Sequence, residues 1–283
     1  MFSALNVKRC AERMRFVDAH IHLSDPEYAQ KITEIVEEAK RSNVVALVAN
    51  SMNFETSLRS LRLAEGYGGL VYAALGIHPW NIKNLATNEL EQTLNLISQQ
   101  RAHLDRVVAV GEIGLDPQYA KNRELKESQA RVFHEMLRAA EKTSLPAIIH
   151  SRCTAPQIFG ILPSYNLRTV LFHWFSSPLG LLPQLVERGY YISEGPPSVF
   201  SNRIREIIEK TPITSLLTET DGPVRFWGPF KDKTTTPAFI PQVVQAIAEI
   251  KKMSEAEVAE QIVNNFVGFF KVSLQQSASD KRH

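Results

Sequence analysis

The chain has 283 residues, of which 44% are hydrophobic and 22% charged, enough apolar material for a sizeable core and a composition that excludes a disordered polymer. Lys plus Arg total 32 against 30 for Asp plus Glu, so overall charge gives no argument for a nucleic-acid or membrane partner, and any such contact has to be argued locally. Cys10 and Cys153 are too few for a disulfide framework, no apolar run reaches the roughly 18 residues of a bilayer span, and the N-terminus, with Lys8, Arg9, Glu12 and Arg13, lacks an apolar signal core. A reducing cytoplasm is the expected setting.

Residues 1–14 precede any periodic pattern and read as a dispensable extension. From residue 15 onward, short runs rich in Val, Ile, Leu and Ala alternate with longer segments of helical spacing. Strands are expected at 15–22, 44–50, 70–78, 107–115, 146–151, 169–175, 190–194 and 215–221. Runs such as VVALVAN are hydrophobic almost throughout, as strands covered on both faces must be. Helices are expected between them, for example at 24–42 and 124–143, where Val132, Phe133, Met136 and Leu137 mark one face. Eight strand–helix units predict an α/β fold, a single-domain (β/α)8 TIM barrel over 15–274, ahead of an open doubly wound sheet. Residues 275–283 form a polar tail.

The first strand ends in FVDAHIH, and alternate residues of a strand point the same way, so His20 and His22 project together toward the barrel axis. Two imidazoles so placed can grip one cation; two histidines satisfied by backbone groups would give the same pattern. Four further strands end in a residue able to bind metal: Glu112 in AVGEIGLD, His150 in AIIHSR, His173 in VLFHWFSS and Asp221 in LLTETD. In a barrel these ends share the C-terminal rim, where active sites of this fold sit. The six donors suffice for two divalent ions, and mixed His and carboxylate ligands leave Mg2+, Mn2+ and Zn2+ open. Two such ions activate water and polarise a phosphoryl oxygen.

FVDAHIH, LGIHPW, VGEIGLD, IIHSR, FHWFSS and TETDGP, in this order, resemble the motif series of the TatD family of metal-dependent DNases, within the amidohydrolase-like superfamily. The resemblance runs from about residue 15 to residue 270. It implies that His20, His22 and Asp221 hold one metal, that Glu112 bridges, and that His150 and His173 hold the second. Asp221, Glu112 and His78 are then the catalytic groups, with His78 and Glu219 beside the metals or against substrate. The activity implied is phosphodiester hydrolysis in DNA, as a 3′-5′ exonuclease, with single strands or 3′ ends as the partner.

Two positions depart from the family pattern. Trp80 stands where a second His often follows GIHP, and either stacks a nucleobase or caps the barrel mouth. Cys153 stands where an Asp often follows HSR and is expected to be a buried, inert thiol. Arg152 either clamps a phosphate or pairs with a rim carboxylate. The loop GPVRFWGPFKDKTTTPAF interleaves Arg225, Lys231 and Lys233 with Phe226, Trp227 and Phe230, which suits a single strand needing cations and stacking rings, or alternatively a packed lid with solvated lysines. Trp174 and Phe175 extend the same wall.

Three other functions remain on the same residues. TatD-like proteins include deacylases of D-aminoacyl-tRNA, and the scaffold supports esterase and amidase chemistry on small molecules. A bridging carboxylated lysine would favour the small-molecule class, and Glu112 occupies that strand end instead. A non-catalytic binding protein would have no reason to retain six ligand-type residues.

Overall fold

The computed structural model describes residues 14–99 and 106–274. Most of the 1–14 extension and the whole 275–283 tail lie outside the described residues. Eight parallel strands run in chain order: β1 Phe16–Ile21, β2 Val44–Asn50, β3 Val71–Leu75, β4 Val107–Gly114, β5 Ala147–His150, β6 Val170–Phe172, β7 Tyr191–Glu194 and β8 Leu216–Thr218. Around them pack α1 Ile32–Arg41, α2 Phe54–Gly66, α3 Glu89–Gln99, α4 Arg123–Thr143, α5 Ala155–Ile161, α6 Leu182–Glu187, α7 Asn202–Lys210, α8 Ile240–Lys251 and α9 Glu255–Phe270. This is the expected (β/α)8 barrel.

The strands are buried nearly throughout, with β1, β3, β4, β5, β6 and β8 buried at every position. Burial on both faces explains why their sequences are continuous apolar runs rather than alternating ones. The seam between β8 and β1 is closed by side-chain and backbone hydrogen bonds together. Thr218 Oγ1 donates to Val17 O at 2.6 Å, and Thr220 Oγ1 and N both donate to the Asp18 carboxylate, which also accepts from His20 N at 3.1 Å. Asp221 N reaches His20 O at 2.8 Å and His22 N reaches Gly222 O at 2.8 Å. Asp18 is fully buried, and burial raises its carboxyl to about 8 despite the donors from Thr220 and His20.

Expected and observed elements differ mostly at their ends. The 24–42 helix begins only at Ile32. Before it, Asp25 caps a 3-10 turn at Pro26–Tyr28 by accepting from Glu27 N, a local carboxylate–backbone bond that competes with helix. The 70–78 strand stops at Leu75, because Pro79 opens a second 3-10 turn, Pro79–Asn84, capped by His78. β6 and β8 stop one and three residues short of His173 and Asp221. Helix α4 starts at Arg123, one residue earlier than expected, capped by Asn122.

Candidate metal centre and its rim

Glu112 is the hub of the centre. Its strand comes close to β5 because two glycines flank it: a Cβ on Gly111 would lie 2.8 Å from Ile148 Cβ, and one on Gly114 only 1.9 Å from His150 O. No larger residue fits at either position without moving β5. The Glu112 carboxylate, 1% exposed, therefore reaches the axis between two groups of imidazoles.

On one side, Glu112 Oε2 lies 3.3 Å from the Nε2 atoms of both His20 and His22. Asp221 Oδ1 lies 3.4 Å from the same two nitrogens, and these are 3.4 Å from each other. Four donors at about 2.0–2.1 Å from a tetrahedral ion stand about 3.3–3.4 Å apart, so the five spacings fit a divalent cation. Glu112 Oε2 and Asp221 Oδ1 are buried without a hydrogen-bond partner. Two orphaned carboxylate oxygens facing two imidazole nitrogens are a costly arrangement unless a cation is shared among them.

On the other side, Glu112 Oε1 lies 2.8 Å from His150 Nδ1, 2.8 Å from His173 Nε2 and 3.3 Å from His78 Nε2. The His20 and His173 rings stack at 3.9 Å across the two sides. All six predicted ligands, together with His78, thus meet in one cluster on one rim. Asp221 and Trp174, the residue after His173, take left-handed backbone conformations (φ 50° and 38°), local strain of the kind held at functional turns.

The hydrogen bonds on the far ring atoms decide which nitrogen each histidine offers. His22 Nδ1 lies 3.2 Å from Asn50 O and must carry its hydrogen there, which leaves Nε2 for the centre. His150 Nε2 lies 2.8 Å from Asp116 Oδ2, so Nδ1 faces inward. His78 is the opposite case: its Nδ1 accepts the Trp80 N–H at 2.9 Å, so the neutral ring carries its hydrogen on Nε2 and points a donor, not a lone pair, at the centre. Burial lowers His78 to about 4, against the pull of Glu112, which keeps it neutral at physiological pH.

The other titrating groups respond to one another. Burial opposes charge on all of them, yet His78, His173 and His20 hold Glu112 well below the usual carboxylate range, and His22 holds Asp221 below it. Conversely, Asp221 and Glu112 overcome burial to raise His22 to about 10, and Glu112 does the same for His173. Burial and the neighbouring His173 lower His20.

Glu219, 1% exposed, lies below the ligands. It accepts from Ser193 Oγ, faces His173 Nδ1 at 3.7 Å, and groups with His20 and His173 within 4.8 Å. Sequence reasoning missed Asp116, although it closes the VGEIGLD motif. It is fully buried, accepts from Gln118 N and orients His150. Glu194 was also missed; buried at the end of β7, it is raised well above its ordinary value by burial and by Glu219. Its position as the acidic last residue of the 190–194 strand was the available signal.

At the rim the expectations divide. Trp80 is 56% exposed and stacks on Tyr119 at 5.2 Å, a partner the sequence did not suggest. Arg152 takes the ion-pair option, 3.6 Å from Asp116 Oδ2, and donates to Gln118. Cys153 is exposed, not buried, because the chain turns outward there with φ 57°. Phe175 is fully buried and belongs to the core, packed on Phe172, rather than to the rim wall. Arg225 pairs with Glu27 and donates to Lys233 O, so it is engaged within the protein. Phe226 and Phe230 are buried against Trp174 and Phe239, while Trp227, Lys231 and Lys233 are exposed. The long loop is thus a packed lid at its base with an aromatic and basic outer edge.

Residues 17–271 match the family model described as TatD related DNase. The chain belongs to that family. Human deoxyribonuclease TATDN3 is 31% identical over 262 residues, covering 90% of this chain and 94% of that protein. YjjV of Escherichia coli K12, named as an uncharacterized metal-dependent hydrolase, is 32% identical, covering 91% of this chain and 98% of that protein. The crystal structure of YjjV superimposes with a TM-score of 0.83 at 30% identity, covering 92% of this chain and 99% of that one. This TatD-family chain is a metal-dependent hydrolase, and no helix among the described residues is long and apolar enough to cross a membrane.

Proposed function

We propose that the protein is a deoxyribonuclease that hydrolyses phosphodiester bonds, trimming single strands from the 3′ end, with two divalent ions of the Mg2+, Mn2+ or Zn2+ class. The observation that carries this reading is the pair of orphaned oxygens, Glu112 Oε2 and Asp221 Oδ1, set at cation spacing from His20 and His22. In this reading His20, His22, Asp221 and Glu112 hold one ion, and His150, His173 and Glu112 the other. Bound there, the ions supply Lewis-acid polarisation of the phosphoryl group and acidify the attacking water.

The protein's own groups do the rest. Asp221, kept ionised by His22, orients the attacking water and receives its proton. The Nε2–H of His78 donates to a nonbridging phosphoryl oxygen, where negative charge grows in the transition state. Glu219 steadies the His20 and His173 rings from below. Trp80 and Trp227 stack bases, Lys231 and Lys233 neutralise backbone phosphates, Arg225 holds the loop that carries Trp227 and the two lysines, and Arg152 holds Tyr119, on which Trp80 lies. Replacing Lys231 and Lys233 by Ala should lower the slope of log K against log salt by about 0.7 per lysine on single-stranded DNA.

Support also comes from TATDN3, which is named a deoxyribonuclease and aligns over most of both chains. The decisive assay incubates purified protein with labelled single-stranded DNA, RNA and D-aminoacyl-tRNA, each with Mg2+, Mn2+, Zn2+ or EDTA. Metal-dependent, EDTA-sensitive shortening of DNA from its 3′ end is expected. Turnover of D-aminoacyl-tRNA alone would replace this reading with a deacylase, and turnover of small esters or amides alone would replace it with an amidohydrolase-type enzyme.

A further inference from the structure

Among the described residues, four large hydrophobic side chains are exposed: Met14, Trp80, Phe200 and Trp227. Met14 precedes β1, at the end of the barrel opposite the metal centre. The other three all stand on loops that follow strands, at the mouth that carries the metal centre, and they form two groups. Trp80 follows β3 and lies face to face, 17° from parallel, on Tyr119 from the loop after β4. Arg152 backs the Tyr119 ring at 6.0 Å. Phe200 follows β7 and Trp227 follows β8, and the two loops touch where a Cβ on Gly228 would lie 3.2 Å from the Phe200 ring.

The strand order fixes where these groups stand. In a closed eight-stranded barrel in chain order, the gap between β3 and β4 lies half a turn from the gap between β7 and β8. The two aromatic groups therefore face each other across the mouth, with Glu112 and its histidines between them. Each is tied to the centre: the backbone N–H of Trp80 binds His78, and Phe226, beside Trp227, packs at 5.5 Å on Trp174, the residue after His173. Lys231 and Lys233 follow Trp227, are exposed, and have no acidic partner among the described residues. Rings and free cations around a phosphate-binding centre suit a single nucleic-acid strand better than an apolar partner, which would not require the lysines.

Resting on the nuclease reading, we propose that the two aromatic groups take bases on opposite sides of the phosphodiester being cleaved, so that the site recognises a dinucleotide step rather than one base and its phosphate. A site that read only a terminal nucleotide would need one stacking surface. Two surfaces half a turn apart require the strand to cross the mouth, with one nucleoside on each side of the attacked phosphorus. Water then adds to phosphorus as one ester oxygen leaves with a proton, and both products keep a base on a ring.

The test uses three substrates: thymidylyl-thymidine, thymidine 3′-methylphosphate and thymidine 5′-methylphosphate. Each methyl diester keeps the base on one side only, and the methyl group cannot stack. The expected result is a reversal. Trp80→Ala loses about 5- to 150-fold more kcat/KM on one methyl diester than on the other, and Trp227→Ala shows the opposite bias, each loss being that of one stacked base. Both lose activity on the dinucleotide. Trp80→Leu and Phe200→Leu repeat the comparison with an apolar side chain, and thermal melting and metal content confirm that each variant is folded and loaded. A bias in the same direction for both groups, or no bias in either, overturns the two-sided arrangement and leaves the nuclease reading intact. If the wild-type enzyme hydrolyses none of the three substrates with any of the metals yet shortens longer single-stranded DNA, the two-sided arrangement is overturned; if it shortens neither, the nuclease reading itself fails.

Discussion

The two sides of Glu112 use the same carboxylate in different ways. Around Oε2 the four donors stand 3.3–3.4 Å apart, as they would around a cation, and none hydrogen-bonds closely to another. Around Oε1 the contacts with His150 and His173 have closed to 2.8 Å, an ordinary N–H···O distance. The first side is spaced for an ion, whereas the second must open by about half an ångström before donors reach the spacing of a four-coordinate site. An ion should therefore bind first and more tightly between His20, His22 and Asp221. Preformed spacing, rather than the number of ligand-type residues, ranks the two sides.

The largest effect should come from removing what both sides share. Glu112→Gln removes the one negative charge that the two sides share, so kcat/KM should fall by more than about 10³, with metal content after dialysis dropping toward zero. Retention of two ions per chain would mean that Glu112 does not bridge.

The ranking is sharpened by separating the sides. His150→Ala should keep one ion per chain after dialysis while losing about 10²-fold in activity, and His20→Ala should lose the tighter ion. Metal analysis of the two variants reads this directly, and the reverse pattern would invert the order. Because His22 is raised to about 10 and His173 well above its ordinary value, each ion displaces protons as it enters. Apparent affinity should weaken as pH falls, with proton release measurable by calorimetry in buffers of different ionisation enthalpy.

A smaller effect is expected one bond further out. Asp116→Asn leaves His150 without its charged acceptor and should cost about 10- to 100-fold in activity or in affinity for the weaker ion. The tighter ion should be retained. An equal loss of both would show that Asp116 acts on the whole rim and not through His150.

A separate effect, on stability rather than on metal binding or activity, is expected under the first side. Asp18 is pushed to about 8 when folded from an ordinary 3.8, so the folded state holds a proton that the unfolded chain has released. Stability should therefore be highest below about pH 4 for this group and decline as pH rises toward 8, by at most about 1.4 kcal/mol per pH unit. Asp18→Asn preserves an acceptor for His20 N and Thr220 N, and denaturant melts at several pH values should show its advantage over wild type growing between pH 4 and 8. A parallel pair of profiles would place Asp18 in the ionised form throughout.

The barrel and the six cluster residues were legible in the sequence because each signal is local. A strand buried on both faces must be apolar along its length, as VVALVAN is, and a polar ligand at its C-terminal end interrupts that run visibly, as His150 does after AII. His20 and His22 need only the two-residue period of a strand to point together. Closure of an eight-stranded barrel then brings all such ends to one rim without further information. Tertiary structure alone decided which nitrogen each histidine offers, because that depends on the far side of each ring: Asn50 O for His22, Asp116 for His150, and for His78 an N–H from Trp80 that makes it a donor rather than a ligand. It also decided that Cys153 is exposed, that Arg152 and Arg225 are already paired, and that Phe175 lies in the core while Phe200 faces solvent. Those outcomes depend on side-chain direction at loops and strand ends, which residue spacing does not encode.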